Sequence, residues 1–163
     1  MAPYRIAVIG LGKIAQDQHL PVIAANPGFE LAAVVSQRGL GVPGVPTYRT
    51  PAELYAAVPD LDAVSLCTPP DVRTAIAREA LEAGKHVLLE KPPATTLSEV
   101  VGLAAVAERR QRLLFATWHS RFNPAVAEAR RLLEGRTIRR LDVQWKEDAV
   151  SYTHLTLPTN REV

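Results

Sequence analysis

Glu90-Lys91-Pro92 is the sharpest chemical signal in this 163-residue sequence. It directly follows a short apolar run, His86 to Leu89, so a lysine is delivered at the end of a buried strand. An amine in that place can hydrogen-bond a substrate hydroxyl and take its proton while hydride leaves the carbon. The plainer alternative is a surface lysine in a strand-end turn. A second signal lies near the start, in Val8-Ile9-Gly10-Leu11-Gly12-Lys13-Ile14-Ala15. An apolar run ends abruptly in two glycines and a helix-like pattern follows, the order strand, tight turn, helix. Gly10 would let the backbone reverse, Gly12 would let it approach a pyrophosphate, and the small Ala15 would let the helix pack closely on the strand. Free N–H groups at the start of that helix would then face the phosphates.

A third signal is the end of the next apolar run, Phe29 to Val35. A dinucleotide fold that takes NAD usually places Asp or Glu there to accept hydrogen bonds from the ribose 2′-hydroxyl. Here the residues are Ser36-Gln37-Arg38-Gly39. A carboxylate repels a 2′-phosphate, whereas a hydroxyl and a guanidinium bind one. Ser36 and Arg38 therefore point to NADP as the preferred cofactor, with NAD possible. The alternative is an ordinary polar loop.

These residues need elements to position them. Lys13 to His19 reads as the first helical turns, with Pro21 breaking or restarting the pattern before Leu20 to Ala25 continues it. Gly39 to Pro46 is a loop. Thr50 caps a helix with Pro51 at its first position, and Glu53 is expected to close a capping box. Leu61 to Cys67 is a buried strand leading to Thr68-Pro69-Pro70. Asp71 is expected to cap a helix whose Val72, Ile76 and Ala80 share a face and which Gly84 ends. Thr96-Leu97-Ser98-Glu99 opens another helix through a capping box, running to about Arg110, and Leu113 to Thr117 is a further strand. Strands alternating with helices predict an α/β fold, a Rossmann-type doubly wound parallel sheet covered on both faces. In such sheets ligands bind outside the carboxyl ends of the strands, which is where the special residues fall.

From Asn123 the pattern changes. Asn123 and Pro124 open a helix with Val126, Ala129 and Leu133 on one stripe, ending at Gly135. Ile138 to Trp145 then alternates apolar and polar residues, as a half-wet strand of an antiparallel sheet does. This reads as only the start of a second α/β domain. The expected organisation is a nucleotide-binding domain over 1–120, the truncated start of a substrate domain over 121–149, and a non-native tail over 150–163. That tail has no alanine, carries Thr three times and resembles translated sequencing adapter.

Composition narrows the function classes. Hydrophobic residues make up 47% and charged residues 22%, a globular balance rather than a disordered one. The net charge is +2 with basic residues scattered, which gives no nucleic-acid footprint. Cys67 is the single cysteine and reads as core packing, so no disulfide framework is possible. No apolar run is long enough to span a bilayer, and nothing before the first strand resembles a leader peptide. The expectation is a cytoplasmic protein without membrane or nucleic-acid partners and without a metal site. Of the four histidines, His154 lies in the tail, His86 reads as structural, His19 points either way, and His119, at a strand end, reads as structural or as a ligand contact.

The Gly-Leu-Gly-Lys-Ile-Ala turn, Thr68-Pro69-Pro70 and Glu90-Lys91-Pro92 together resemble the glucose–fructose oxidoreductase and inositol dehydrogenase (Gfo/Idh/MocA) family, over Met1 to about Asp148. A narrower likeness to its aldose 1-dehydrogenase branch is carried by Asp17-Gln18-His19-Leu20-Pro21, Ala63 to Cys67, Ala116 to Arg121 and Trp145-Lys146-Glu147-Asp148. The resemblance implies oxidation of C1 of an aldose, L-arabinose or D-galactose, to the lactone by hydride transfer. It implies that Lys91 is catalytic and that His119 lies against the sugar. Gly10, Gly12, Lys13 and Ile14 would meet the cofactor backbone, Ser36 and Arg38 its 2′-phosphate, and Thr68 its nicotinamide side, with Pro69 and Glu90 counted in the same set. It implies a small-molecule sugar as partner, and a homo-oligomer for a chain of full length. Members also have a second α/β domain supplying further sugar ligands, so a chain without it is expected to bind nucleotide and turn over no sugar. A rival reading is a sugar-responsive regulator that binds NAD(P) without catalysis, against which Lys91 argues. Another is a nucleotide-binding module alone.

Overall fold

The structure, a computed structural model, describes residues 2–140 together with Asp142 and Gln144. Six strands, β1 (Tyr4–Ile9), β2 (Phe29–Val35), β3 (Thr47–Tyr48), β4 (Ala63–Leu66), β5 (His86–Leu89) and β6 (Leu114–Ala116), form one sheet. Their order is β3-β2-β1-β4-β5-β6 and every pairing is parallel. The helices are α1 (Leu20–Ala25), α2 (Pro51–Ala57), α3 (Pro70–Glu82), α4 (Leu97–Arg110) and α5 (Pro124–Leu133). The expected Rossmann-type parallel sheet is the architecture found.

The central strands β1, β2 and β4 are apolar because both faces are covered, whereas in the edge strand β6 Phe115 is exposed. Ala7, Ile9, Val35, Val64, Leu66, Val87 and Leu89 pack with residues of α2, α3 and α4 in one core. Ile6, Val8, Val34 and Cys67 pack with Leu11, Ala15 and Ile23, on the side of α1. Leu54, Leu66, Leu81, Leu89 and Leu103 are fully buried, each such side chain stabilising the fold by about 1.5–3 kcal/mol. Cys67 belongs to the second core, as its apolar setting suggested.

Several local expectations are settled or change. Of the two effects expected of Pro21, the structure shows a restart, with Pro21 in the first turn of α1. A π turn over Ala15–His19 precedes it, with the Leu20 N–H reaching back to the Ala15 carbonyl. Such widening accommodates a residue that has no N–H and whose ring crowds the preceding turn. The loop after β2 contains β3, a strand of two residues that pairs Val34 with Thr47 and Val35 with Tyr48. Thr50 caps α2 through the Glu53 N–H at 3.2 Å, but the Glu53 carboxylate takes the Arg49 N–H, one residue before the cap. Asp71 lies inside α3 rather than capping it, because the helix already begins at Pro70. The buried face of α3 is Arg73, Ala77, Ala80 and Leu81, while Val72 is exposed. At α4 the capping box is complete: the Thr96 hydroxyl accepts from the Glu99 N–H and the Glu99 carboxylate accepts from the Thr96 N–H at 2.9 Å.

The chain divides into two compact units, Met1–Arg121 and Phe122–Val163. In the second, the Asn123 side chain accepts from the Ala125 N–H at 3.0 Å, starting α5, whose Val126 and Leu133 are exposed. Residues 138–140, Asp142 and Gln144 form no strand. The remainder of the expected strand, Leu141, Val143 and Trp145, lies outside the described residues, as does the 150–163 tail. No helix among the described residues is long and apolar enough to cross a membrane.

Thr96→Ala removes one half of the reciprocal cap on α4 and should lower the unfolding free energy by about 1 kcal/mol. Urea unfolding of this chain checks it, and an unchanged midpoint would contradict the cap's contribution.

Candidate functional site

Because every strand runs the same way, all carboxyl ends open on one edge of the sheet. β1 delivers Gly10 to Gly12 there, β2 Ser36 to Arg38, β4 Thr68 and Pro69, β5 Glu90 and Lys91, and β6 His119. A cleft of about 510 Å³ lies at this edge and is lined by Gly10, Gly12, Lys13, Ile14, Ser36, Arg38, Thr68 and Pro69. Eight of the residues singled out from the sequence thus share one cavity. Its size suits a cofactor site.

The two glycines of the turn meet different demands. Gly10 has φ +92°, and a Cβ there would lie 3.1 Å from the backbone of Cys67 and Thr68. Its N–H donates to the Val35 carbonyl at 2.9 Å. At Gly12 a Cβ would meet no atom of the described residues within 4 Å and would stand in the open cleft. That space beside bare backbone is what a pyrophosphate needs for close approach. The residues present therefore fit a dinucleotide.

At the β2 end, Ser36 is buried and its Oγ accepts the Leu40 N–H at 3.2 Å, leaving the hydroxyl proton to donate. Arg38 is exposed on the rim and lines the cleft. No carboxylate lines this cleft among the described residues. A residue that sequence reasoning missed is Arg49, just past β3. It also lines the cleft, and its guanidinium donates to the Gln37 carbonyl at 3.2 Å. Only the pairing of β3 beside β2 brings it there, which no local pattern announces.

Glu90 does not line the nucleotide cleft. It is buried, with Oε1 2.9 Å from His19 Nε2 and Oε2 accepting the Lys91 N–H at 2.9 Å. His19 Nδ1 lies 2.8 Å from Ser65 Oγ. The Thr117 hydroxyl faces the same carboxylate without closing a hydrogen bond. Burial would push the Glu90 carboxyl up, but the bonds from His19 and the Lys91 N–H outweigh it and hold the group below its ordinary value. His19 is thus the half-buried partner of this carboxylate. His86 is structural, accepting the Leu113 N–H at 2.9 Å.

Lys91 itself is exposed, in a turn whose Lys91–Pro92 peptide bond is cis. His119 is exposed at the next strand end along the same edge, its N–H bonded to the Thr117 carbonyl at 2.8 Å. β5 and β6 are neighbours, so Lys91 and His119 leave adjacent strand ends on the same side of the sheet edge. Cys67 lines the cleft wall, and desolvation pushes its thiol up to about 12, so it stays protonated and unreactive near neutral pH. Among the described residues no cluster of His, Cys, Asp or Glu could hold a metal ion.

The sequence matches the family described as "Oxidoreductase family, NAD-binding Rossmann fold" (GFO_IDH_MocA) over residues 4–117. It is 44% identical to a galactose 1-dehydrogenase of Pseudomonas fluorescens over 148 residues, 91% of this chain and 47% of that protein. A crystal structure of a D-galactose-1-dehydrogenase protein from Rhizobium etli superposes with a TM-score of 0.84 and 50% identity, covering 93% of this chain and 49% of that one. A 3-ketoreductase from Actinomadura kijaniata, solved with TDP-benzene and NADP, gives a TM-score of 0.70 and 33% identity over 81% of this chain and 43% of that one. The chain spans about half the length of the first two of these relatives.

The buried Glu90 carboxylate makes stability depend on acid. A carboxyl held below its ordinary 4.5 contributes stability that is complete above that value and lost as pH falls through the lower folded one. Glu90→Gln should therefore be less stable than the parent at neutral pH, and the gap should close toward acid. Urea unfolding between about pH 3 and pH 7 checks it, and a gap constant across that range would contradict it.

Proposed function

The chain belongs to the Gfo/Idh/MocA oxidoreductase family, and we propose that it forms the cofactor-binding part of an NADP-preferring aldose 1-dehydrogenase. The observation that carries the reading is the single cleft lined by both glycines of the turn, Thr68, Ser36 and Arg38. The likeness to galactose 1-dehydrogenase supports D-galactose, or the related L-arabinose, as the sugar.

When bound, NADP supplies the acceptor for the hydride that leaves C1 of the sugar. Gly10 and Gly12 let the main chain lie against the pyrophosphate, with Lys13 and Ile14 flanking it at the helix start. Ser36, by its free hydroxyl proton, and Arg38, by its guanidinium, hold the 2′-phosphate. Thr68 and Pro69 border the nicotinamide end. Lys91 takes the proton of the C1 hydroxyl as the carbonyl of the lactone forms, and His119 holds the sugar at the neighbouring strand end. Glu90 acts from beneath, through the Lys91 N–H.

Arg38→Ala should weaken NADP binding by about 1.5–3 kcal/mol, the loss of a charge-assisted contact, and spare NAD. Titration of this chain with NADPH and with NADH, followed by the fluorescence of the reduced nicotinamide, checks it, and equal losses for the two would refute the phosphate contact. In a polypeptide carrying this chain at the full length of its relatives, Lys91→Ala should lower kcat about a hundredfold or more with little change in NADP affinity. Near-normal turnover would move the acid–base role elsewhere. A parent protein that binds NADP and sugar without reducing the cofactor would instead favour a sugar-responsive regulator.

A further inference from the structure

We infer that Arg73 is a positioning residue for Lys91: its buried guanidinium fastens the Glu90-Lys91-Pro92 turn to the Thr68 loop and so fixes where the Lys91 amine leaves the sheet edge. The inference rests on Lys91 being the acid–base group.

Arg73 sits near the start of α3 and is only 3% exposed. Long helical side chains lean back toward the helix N-terminus, so this one reaches over the first turn to the strand ends. There it donates to the main-chain carbonyls of Thr68, Glu90 and Pro92. Two of these carbonyls flank Lys91 in sequence, one on each side. The third belongs to the loop that borders the nicotinamide end in the proposed function. One rigid, planar cation thus sets the spacing between those two loops. The Lys91 N–H is held separately by Glu90 Oε2 at 2.9 Å, and Glu90 in turn by His19. Lys91 has a fixed main chain beneath an exposed side chain.

Helix stability does not account for an arginine here. A cation near a helix N-terminus opposes the helix dipole. Burial also disfavours its charge, shifting the guanidinium below its ordinary value. An apolar residue of similar volume would fill the core without either cost, but would leave buried carbonyls unpaired. What the guanidinium adds is a fork geometry that reaches several acceptors at once, which lysine does not reproduce.

The test is steady-state kinetics with aldose and NADP, together with NADP titration, on Arg73→Met, Arg73→Lys and Lys91→Ala in a full-length protein carrying this chain. Arg73→Met should lower kcat about a hundredfold, the cost of misplacing a reacting group by an ångström, while NADP affinity stays near that of the parent. Arg73→Lys should recover part of the loss. Added to Lys91→Ala, Arg73→Met should lower kcat little further, because it acts through Lys91. A purely structural role would lower the double variant by the same factor as the single one, and that result overturns the inference. So does a folded Arg73→Met or Arg73→Lys with the parent's kcat. If the methionine variant does not fold, the lysine variant decides by the same kcat comparison. Retained turnover in Lys91→Ala defeats the reading of Lys91 and the inference with it, whereas lost turnover there with intact Arg73 variants defeats Arg73 alone.

Discussion

A parallel sheet must carry its chain back across one face or the other after every strand, and this constraint governs the molecule. The return after β1 packs α1 on one face, while the returns built from α2, α3 and α4 pack on the other. Between β1 and β4 the connections therefore part in opposite directions, and the edge of the sheet opens into a crevice. The glycine turn lies on one wall of that crevice and the Thr68 loop on the other. Nothing about the special residues creates this opening. They occupy a gap that strand order has already made.

Much of this was legible in the sequence because it is local. Apolar runs ending in Gly10, Ser36, Thr68 and Glu90 mark strands, and the alternation with capped helices marks a parallel sheet. The Thr96–Glu99 box was legible for the same reason, since both of its partners lie within one turn. The unread parts depend on residues distant in the chain or on elements too short to have a period. β3 has two residues and no pattern of its own. Pro21 can break or restart a helix, and only the wider turn before it shows which. Glu90 meets His19 across 71 positions, so neither residue announces the other. Arg73 stands on a helix where a charge ordinarily faces water, and its carbonyl partners are supplied by two different loops.

The polar residues beneath the edge share one logic. Apart from the Arg73 Nε, which is left over, the buried charges of Arg73, Lys85 and Glu90 are matched to partners that would otherwise lack them. Such matching is the condition for leaving water at tolerable cost. Lys85 follows it away from the site, donating to the Pro59 and Leu61 carbonyls at 2.9 and 2.8 Å and tying the approach to β4 against the end of α3. Ser65, His19 and Glu90 follow it on the α1 side. These contacts, to main-chain carbonyls and to the Glu90 carboxylate, hold the strand ends where exposed side chains would have to work.

The turn after β1 carries two glycines that answer to different authorities. Gly10 is demanded by the protein's own backbone, for its φ is positive and a side chain there would press on Cys67 and Thr68. Gly12 is demanded by none of the described residues, since among them a side chain there would stand in empty space. Selection for a folded, soluble product would thus police one glycine and be blind to the other. A lineage that gave up its nucleotide would be free to lose Gly12 first, while Gly10 persisted as a fossil of the fold.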